Sequence, residues 1–289
     1  TAMIVQYLLW ILPMFELKKG SLYVVATPIG NLSDLSVRAR DVLAQADLIC
    51  AEDTRQTRQL LHAMGLDRPL MALTDHNESD RVQQVLAQLQ SGKSIALVSD
   101  AGTPLISDPG YRIVRELRAA GVQISPIPGA CAAIAALSVA GIASDRFSFE
   151  GFLPAKASAR RERLQKLAGE TRTLVFYESS HRIEESLTDM MGAFGSHREA
   201  VLARELTKLF ETVLYGTIAS ILEKVATDAN QRKGEFVVII SGAPEDDDAE
   251  LREGKRLYTK LVEYMKPSQA AKVAADLSGA PRKALYGGE

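Results

Sequence analysis

The sequence predicts an α/β protein: two α/β/α domains with mostly parallel sheets and a ligand cleft between them, then a small C-terminal helical extension. Three observations carry this expectation. Short runs of branched apolar residues alternate with stretches whose apolar positions recur every three or four residues, the rhythm of a sheet covered on both faces. The rhythm resumes in the second half of the chain. Polar clusters fall repeatedly where a strand ends, the place where open α/β sheets bind ligands.

Residues 1–20 read as an extension: mostly apolar up to Phe15, interrupted by Gln6 and Pro13, and without the basic start of a signal peptide. The first domain spans 21–145. Residues 22–26 form its first strand, stopped by Thr27-Pro28-Ile29-Gly30-Asn31. A helix over 37–46 leads to a second strand over 46–51, followed by Glu52-Asp53-Thr54-Arg55. Leu60, Leu61 and Met64 mark a helix that Gly65 stops. The third strand, 70–73, ends in Thr74-Asp75-His76-Asn77-Glu78, and Val82, Val85, Leu86 and Leu89 stripe the next helix.

The chain is organised around the strand and loop at 94–110. Ser94-Ile95-Ala96-Leu97-Val98 is a buried strand, and residues 99–110 (Ser-Asp-Ala-Gly-Thr-Pro-Leu-Ile-Ser-Asp-Pro-Gly) leave its carboxyl end. Asp108 is expected to cap the following helix, with Pro109 at its first position, Ile113, Val114 and Leu117 facing inward, and Gly121 closing it. Backbone amides, one carboxylate and one hydroxyl of this loop suit a small polar cofactor, although a well-made strand-to-helix turn has the same composition. A fifth strand over 122–127 precedes Pro128-Gly129-Ala130-Cys131, which opens a helix running to about Val139.

Residues 147–153 read as a bridge into the second domain, 146–243. Lys156, Arg160, Arg161, Arg163 and Lys166 then give a short helix the densest positive charge in the chain, which is equally the pattern of a solvated face. A strand over 173–177 ends in Glu178-Ser179-Ser180-His181-Arg182, and one over 201–204 in Glu205-Leu206-Thr207-Lys208. Residues 211–215 and 235–240 supply two more. The remainder, 244–289, is an acidic linker over 244–250 and a basic helical tail with Leu257, Leu261 and Tyr264 at helical spacing.

Composition and motifs exclude several chemistries. A net charge of -2 means that a nucleic-acid partner needs a local basic face. Cys50 and Cys131 read as small core residues in a reducing compartment. No Gly-x-Gly occurs, so the dinucleotide fingerprint is missing. Gly92-Lys93-Ser94 precedes a strand and lacks the first glycine of a phosphate-binding loop. Scattered histidines without Cys-x-x-Cys or His-Glu-x-x-His argue against a zinc site, and a Gly-x-Ser-x-Gly elbow is missing.

Seven segments in order resemble one family: residues 27–32, 51–55, 75–78, 99–110, 150–154 (Glu-Gly-Phe-Leu-Pro), 176–182 and 203–208. They are similar to the bacterial 16S ribosomal RNA (cytidine-2′-O)-methyltransferases of the tetrapyrrole-methylase superfamily. The resemblance implies a cytoplasmic homodimer that holds S-adenosylmethionine in the cleft and methylates a ribose 2′-hydroxyl in the decoding region of 16S rRNA. It implies cofactor contacts from Pro28, Asp100, Gly102, Thr103, Ile106, Cys131, Ala132, Tyr177, Glu178, Leu206, Gly234 and Glu235. The superfamily usually shows Gly-Asp-Pro where this chain has Gly102-Thr103-Pro104, which leaves Asp100 as the acid of the loop.

A ribose hydroxyl needs a base or a cation that stabilises its alkoxide. The polar residues expected at the cleft are Glu52, Asp53, Glu178, Arg204, Glu205 and Lys208. Arg55, Arg160, Arg161, Arg163 and Arg182 are better suited to phosphate contacts, and this chemistry needs no metal. Two other readings share the fold: a precorrin-type tetrapyrrole methylase and a non-catalytic RNA-binding assembly factor.

Overall fold

The computed structural model describes residues 16–74, 77–244 and 249–285. It divides into two compact units, the first ending at Gly242 and the second beginning at Ala243. Most of the expected 1–20 extension, Asp75 and His76, and the end of the tail lie outside the described residues.

In the first unit, β1 (Ser21–Val25), β2 (Leu48–Ala51), β3 (Leu70–Ala72), β4 (Ile95–Val98) and β5 (Gln123–Ile127) form one sheet in the order β3-β2-β4-β1-β5. Every pairing is parallel, as the alternation predicts. Alternate residues point to opposite faces, so each face builds its own core. Tyr23, Val25, Ile49 and Ala51 pack under α1 (Val37–Gln45) and α2 (Thr54–Ala63). Leu22, Cys50, Ile95 and Leu97 pack under α3 (Glu78–Gln90) and α4 (Tyr111–Ala119). Burial there pushes the Cys50 thiol up to about 12, which keeps it an inert core residue.

One cap differs from expectation. Helix α4 begins at Tyr111 after Gly110, whose φ is +122°, and it has no side-chain cap. Its buried Ile113 N–H instead donates to Glu78 Oε1 at 2.7 Å. A carboxylate from α3 therefore satisfies the helix start, and Asp108 stays outside the helix.

The second sheet holds β6 (Phe147–Phe152), β7 (Thr173–Ser179), β8 (Glu199–Arg204), β9 (Thr212–Thr217) and β10 (Glu235–Ile240), in the order β6-β7-β10-β8-β9. Parallel pairing is confined here to β6 and β7; β10 enters between β7 and β8 in the opposite direction and pairs antiparallel with both, and the consecutive strands β8 and β9 pair antiparallel as well. Residues 147–153, expected as a bridge, are largely this first strand. Gly151, with φ +63°, shifts the register after Phe149 and interrupts the alternation by which a strand is recognised.

Helices α6 (Ala157–Leu167), α7 (Ile183–Phe194) and α8 (Ile218–Thr227) cover one face of this sheet. Helix α5 (Ala132–Ala140), which follows the last strand of the first sheet, covers the other. Its Ala133, Ala136, Leu137 and Ala140 pack on Val175, Val201, Ala203, Val237 and Ile239.

The second unit is helical: α9 (Ala249–Leu261), α10 (Pro267–Ser278) and α11 (Arg282–Leu285). Ala274, Ala280 and Leu285 form its core, with Leu251, Leu257, Tyr258 and Leu261 against them. Helix α9 already begins inside the stretch expected to be linker. Among the described residues, no helix is long and apolar enough to cross a membrane.

Candidate active site

A cavity of about 410 Å³ in the first unit is walled by loops of both sheets. Loop 99–110 forms one wall and is fixed from below. Thr27 N–H donates to Gly102 O at 2.9 Å, the Thr27 hydroxyl donates to the same oxygen, and Thr103 Oγ1 donates to Ala130 O at 2.9 Å. Gly102 has φ +84°, and a Cβ there would lie 3.2 Å from Ile29 Cγ2. Both demands select glycine.

Backbone strain is concentrated at this cavity. The described non-glycine residues with positive φ are Leu105, Ser107, Glu205 and Thr207, at +72°, +69°, +50° and +65°. The first pair flanks Ile106 and the second flanks Leu206, and both flanked side chains line the cavity. Each such residue costs about 1–2 kcal/mol, so the fold holds two apolar side chains in place against a local preference.

Tyr177 closes the floor from β7. Its hydroxyl accepts the Ala133 N–H at the start of α5 at 3.1 Å, and its ring meets Phe149 and Phe152 edge-on at 4.9 and 5.6 Å between centroids. Burial raises its pKa, so the hydroxyl stays protonated.

The carboxylates on the wall differ in their partners. Asp100 accepts the Asp53 N–H at 2.9 Å and Gln56 Nε2 at 3.1 Å. Lys208 Nζ bridges Glu205 at 2.8 Å and Glu235 at 2.7 Å. Burial opposes the charge on both Glu205 and Lys208, yet their mutual contact prevails: the Glu205 pKa is lowered and that of Lys208 raised. Asp108 is half-buried. Burial pushes it up to about 6, against the nearby Ser99 hydroxyl, which favours its charge, and with Asp100 adding to the rise.

Thirteen of the residues expected at the cleft line this cavity: Glu52, Asp100, Gly102, Thr103, Ile106, Cys131, Ala132, Tyr177, Glu178, Glu205, Leu206, Lys208 and Glu235. The carboxylate of Glu178 is committed elsewhere. Strand alternation sends it to the face opposite Tyr177, where it accepts from Ser186 Oγ at 2.6 Å and pairs with Arg182 at 2.8 Å.

Four expected residues are not on the wall. Pro28 precedes Ile29, which is. Asp53 caps α2 and pairs with Arg55, which holds its carboxyl at about 2. Arg204 is a correction: it is buried and donates to the carbonyls of Lys233 and Phe210, each at 2.8 Å, so it braces two loops. Gly234, with φ +100°, leaves the space that Glu205 fills. Wall residues not anticipated include Ile29, Gln56, Ser107, Asp108, Phe152 and Val237. Asp108 stands in the organising loop, where its place before proline and glycine suits a helix cap equally well.

Among the basic residues, Arg160 is a second correction. It is 2% exposed, with Nε 2.7 Å from Asp189 and Nη2 3.2 Å from Glu185, and so is not presented to solvent. Arg55 and Arg161 are exposed, Arg163 is half-exposed and paired with Glu150, and Arg182 also donates to Leu153 O at 3.1 Å.

Residues 21–222 match the family model of the tetrapyrrole (corrin/porphyrin) methylases. The chain belongs to this family. Residues 245–287 match the model of the RsmI C-terminal HTH domain. The chain is 61% identical over 269 residues to the ribosomal RNA small subunit methyltransferase I of Xylella fastidiosa strain Temecula1, covering 93% of this chain and 98% of that one. It is 50% identical to the enzyme of that name from Pseudomonas aeruginosa, covering 92% and 95%. Among solved structures, cobalt precorrin-4 methyltransferase aligns with a TM-score of 0.57 at 18% identity, over 77% of this chain and 95% of that one. The methyltransferase CobJ aligns with 0.57 at 20%, over 78% and 95%. At these identities the likeness shows the fold alone.

Proposed function

We propose that this protein methylates the ribose 2′-hydroxyl of a cytidine in the decoding region of 16S rRNA, using S-adenosylmethionine held in the cavity between the two sheets. The observation that carries the reading is identity of 61% to a small subunit rRNA methyltransferase over almost its whole length. The second unit favours RNA over a tetrapyrrole, because the tetrapyrrole methylase model ends at residue 222 while residues 245–287 match the RsmI C-terminal HTH domain.

The residues present fit the donor. Ile106, Leu206, Tyr177 and Phe152 offer apolar faces to a flat base, and Asp100 offers an acceptor already fixed by two donors. When bound, that cofactor supplies a methyl group on a positively charged sulfur. The chain's part is to align the ribose oxygen behind that carbon and to manage the proton the hydroxyl loses. Lys208 provides a cation at the cavity for a developing alkoxide, kept charged by Glu205 and Glu235. Glu52, at the end of β2, is a carboxylate on the same wall. Arg55 and Arg161 offer exposed guanidinium groups to RNA phosphates.

The homodimer and cytoplasmic action belong to the same proposal. Edge strand β9 exposes Val213 and Tyr215 beside exposed Leu209 and Phe210, an apolar strip that a second copy would cover. Light scattering on the purified protein tests the dimer. Mass mapping of 16S rRNA nucleosides tests the activity: one 2′-O-methylcytidine should disappear when the protein is removed and return when it is restored. An unchanged nucleoside map overturns the reading.

A further inference from the structure

The acids on the cavity wall are unequal. Asp100 is held by a backbone N–H and an amide, Glu205 and Glu235 by Lys208, and Glu178 by Arg182 and Ser186. Asp108 lines the same cavity, half-buried, and no ion pair to it is formed among the described residues; the nearby Ser99 hydroxyl is what favours its charge. The titratable groups acting on it are Asp100 from the same loop and Tyr177 from β7, neither of which brings positive charge. The chain fixes this acid firmly. Ser107, before it, has left-handed backbone and its Oγ lies against Gly151 of β6, where a Cβ would be 3.2 Å away. Gly110, after it, packs on Leu97 and Leu105.

A half-buried carboxylate with no compensating cation among the described residues is an incomplete arrangement until a cation arrives. Resting on the reading of the cavity as the methyl-donor site, we propose that Asp108 recognises the positive charge of the donor's sulfur, so that the cavity holds the sulfonium more tightly than the neutral thioether left after transfer. Methyl transfer breaks the carbon–sulfur bond, returns its electron pair to sulfur and removes the charge that Asp108 faces. Asp108 is thus a specificity-determining residue, and loss of its partner assists product exchange. Its upward shift to about 6 follows the same logic, because a bound cation favours the ionised form.

The test is calorimetric titration of the full-length protein with S-adenosylmethionine and, separately, S-adenosylhomocysteine, for wild type and Asp108→Asn. The two ligands share every titrating group except the sulfonium charge, so their ratio isolates it. Wild type should prefer the sulfonium, and its affinity for that ligand should fall about tenfold between roughly pH 7.5 and 5 while thioether affinity changes little. Asp108→Asn should lose most of the preference and all of its pH dependence, with thioether affinity within about twofold of wild type. Should the variant fail to fold, the wild-type pH series decides by itself. A preference that is independent of pH, or one unchanged in a folded Asp108→Asn, overturns the role of Asp108 and leaves the donor site standing. Failure of both ligands to bind wild type overturns the donor site and this inference together.

Discussion

Lys208 and Gly30 interlock at the cavity: a Cβ on Gly30 would overlap Lys208 Cγ, so the absence of a side chain in the loop after β1 is what lets the lysine stem lie there. From that seat the ammonium reaches Glu205 and Glu235. Gly30→Ala should displace Lys208, lower the methylation rate at least about tenfold and cost about 1–3 kcal/mol of stability. Single-turnover methylation and denaturant unfolding measure the two effects. A variant with wild-type rate would remove Lys208 from the chemistry.

Tyr177 is both wall and anchor. Tyr177→Phe keeps the ring but leaves the Ala133 N–H without its acceptor, a loss of about 1–3 kcal/mol. Urea unfolding should show the midpoint moving down with an unchanged slope.

The basic helix α6 holds two arginines of opposite kind. Arg160→Ala leaves the nearly buried Asp189 with only the longer 3.7 Å contact to Arg161 and should destabilise by about 3 kcal/mol. Arg161→Ala, at an exposed position, should leave the melting temperature unchanged while weakening RNA binding and flattening its salt dependence. If Arg161→Ala binds RNA with the wild-type salt slope, α6 is a solvated face and nothing more.

Asp108 makes stability depend on pH in a definite direction. Its carboxyl titrates near 6 when folded, against an ordinary value of 3.8, so the folded state holds the extra proton between these values. Its contribution is complete below about 3.8 and is lost as pH rises through about 6. Asp108→Asn removes that loss. Relative to wild type, the variant should therefore gain stability between about pH 4 and 7, read from unfolding curves at each pH. An unchanged difference across that range would show an unperturbed carboxyl.

Gly102→Val tests the loop itself. Positive φ and the nearby Ile29 methyl both oppose a branched side chain. Donor affinity should fall at least about tenfold in a protein that still folds. Wild-type affinity would separate this loop from the donor.

The first sheet was legible almost residue by residue, because its strands are short apolar runs and its helices carry clear stripes. The polar clusters after β2, β4, β7 and β8 marked the cavity for the same reason: polar residues at the end of a buried strand need an aqueous or ligand-filled space. Direction of pairing in the second sheet was not legible, since a central strand such as β10 reads alike in either direction. Nor was the fate of individual side chains. Arg160 and Arg161 are neighbours in one basic run, and only helical phase buries the first and exposes the second. Asp108 carried a strong local signal, an acid before proline and glycine, that suits a cap as well as a cavity wall. Glu78, the first residue of a different helix, took the capping role instead.

The placement of α5 has a consequence for how the molecule is assembled and taken apart. This helix leaves β5 of one sheet and lies on β7, β8 and β10 of the other. A chain severed near residue 145 would strand it on the wrong fragment, leaving Val175, Val201 and Ile239 facing water. Neither half is then a self-sufficient folding module, and heat should melt residues 21–242 in one cooperative step.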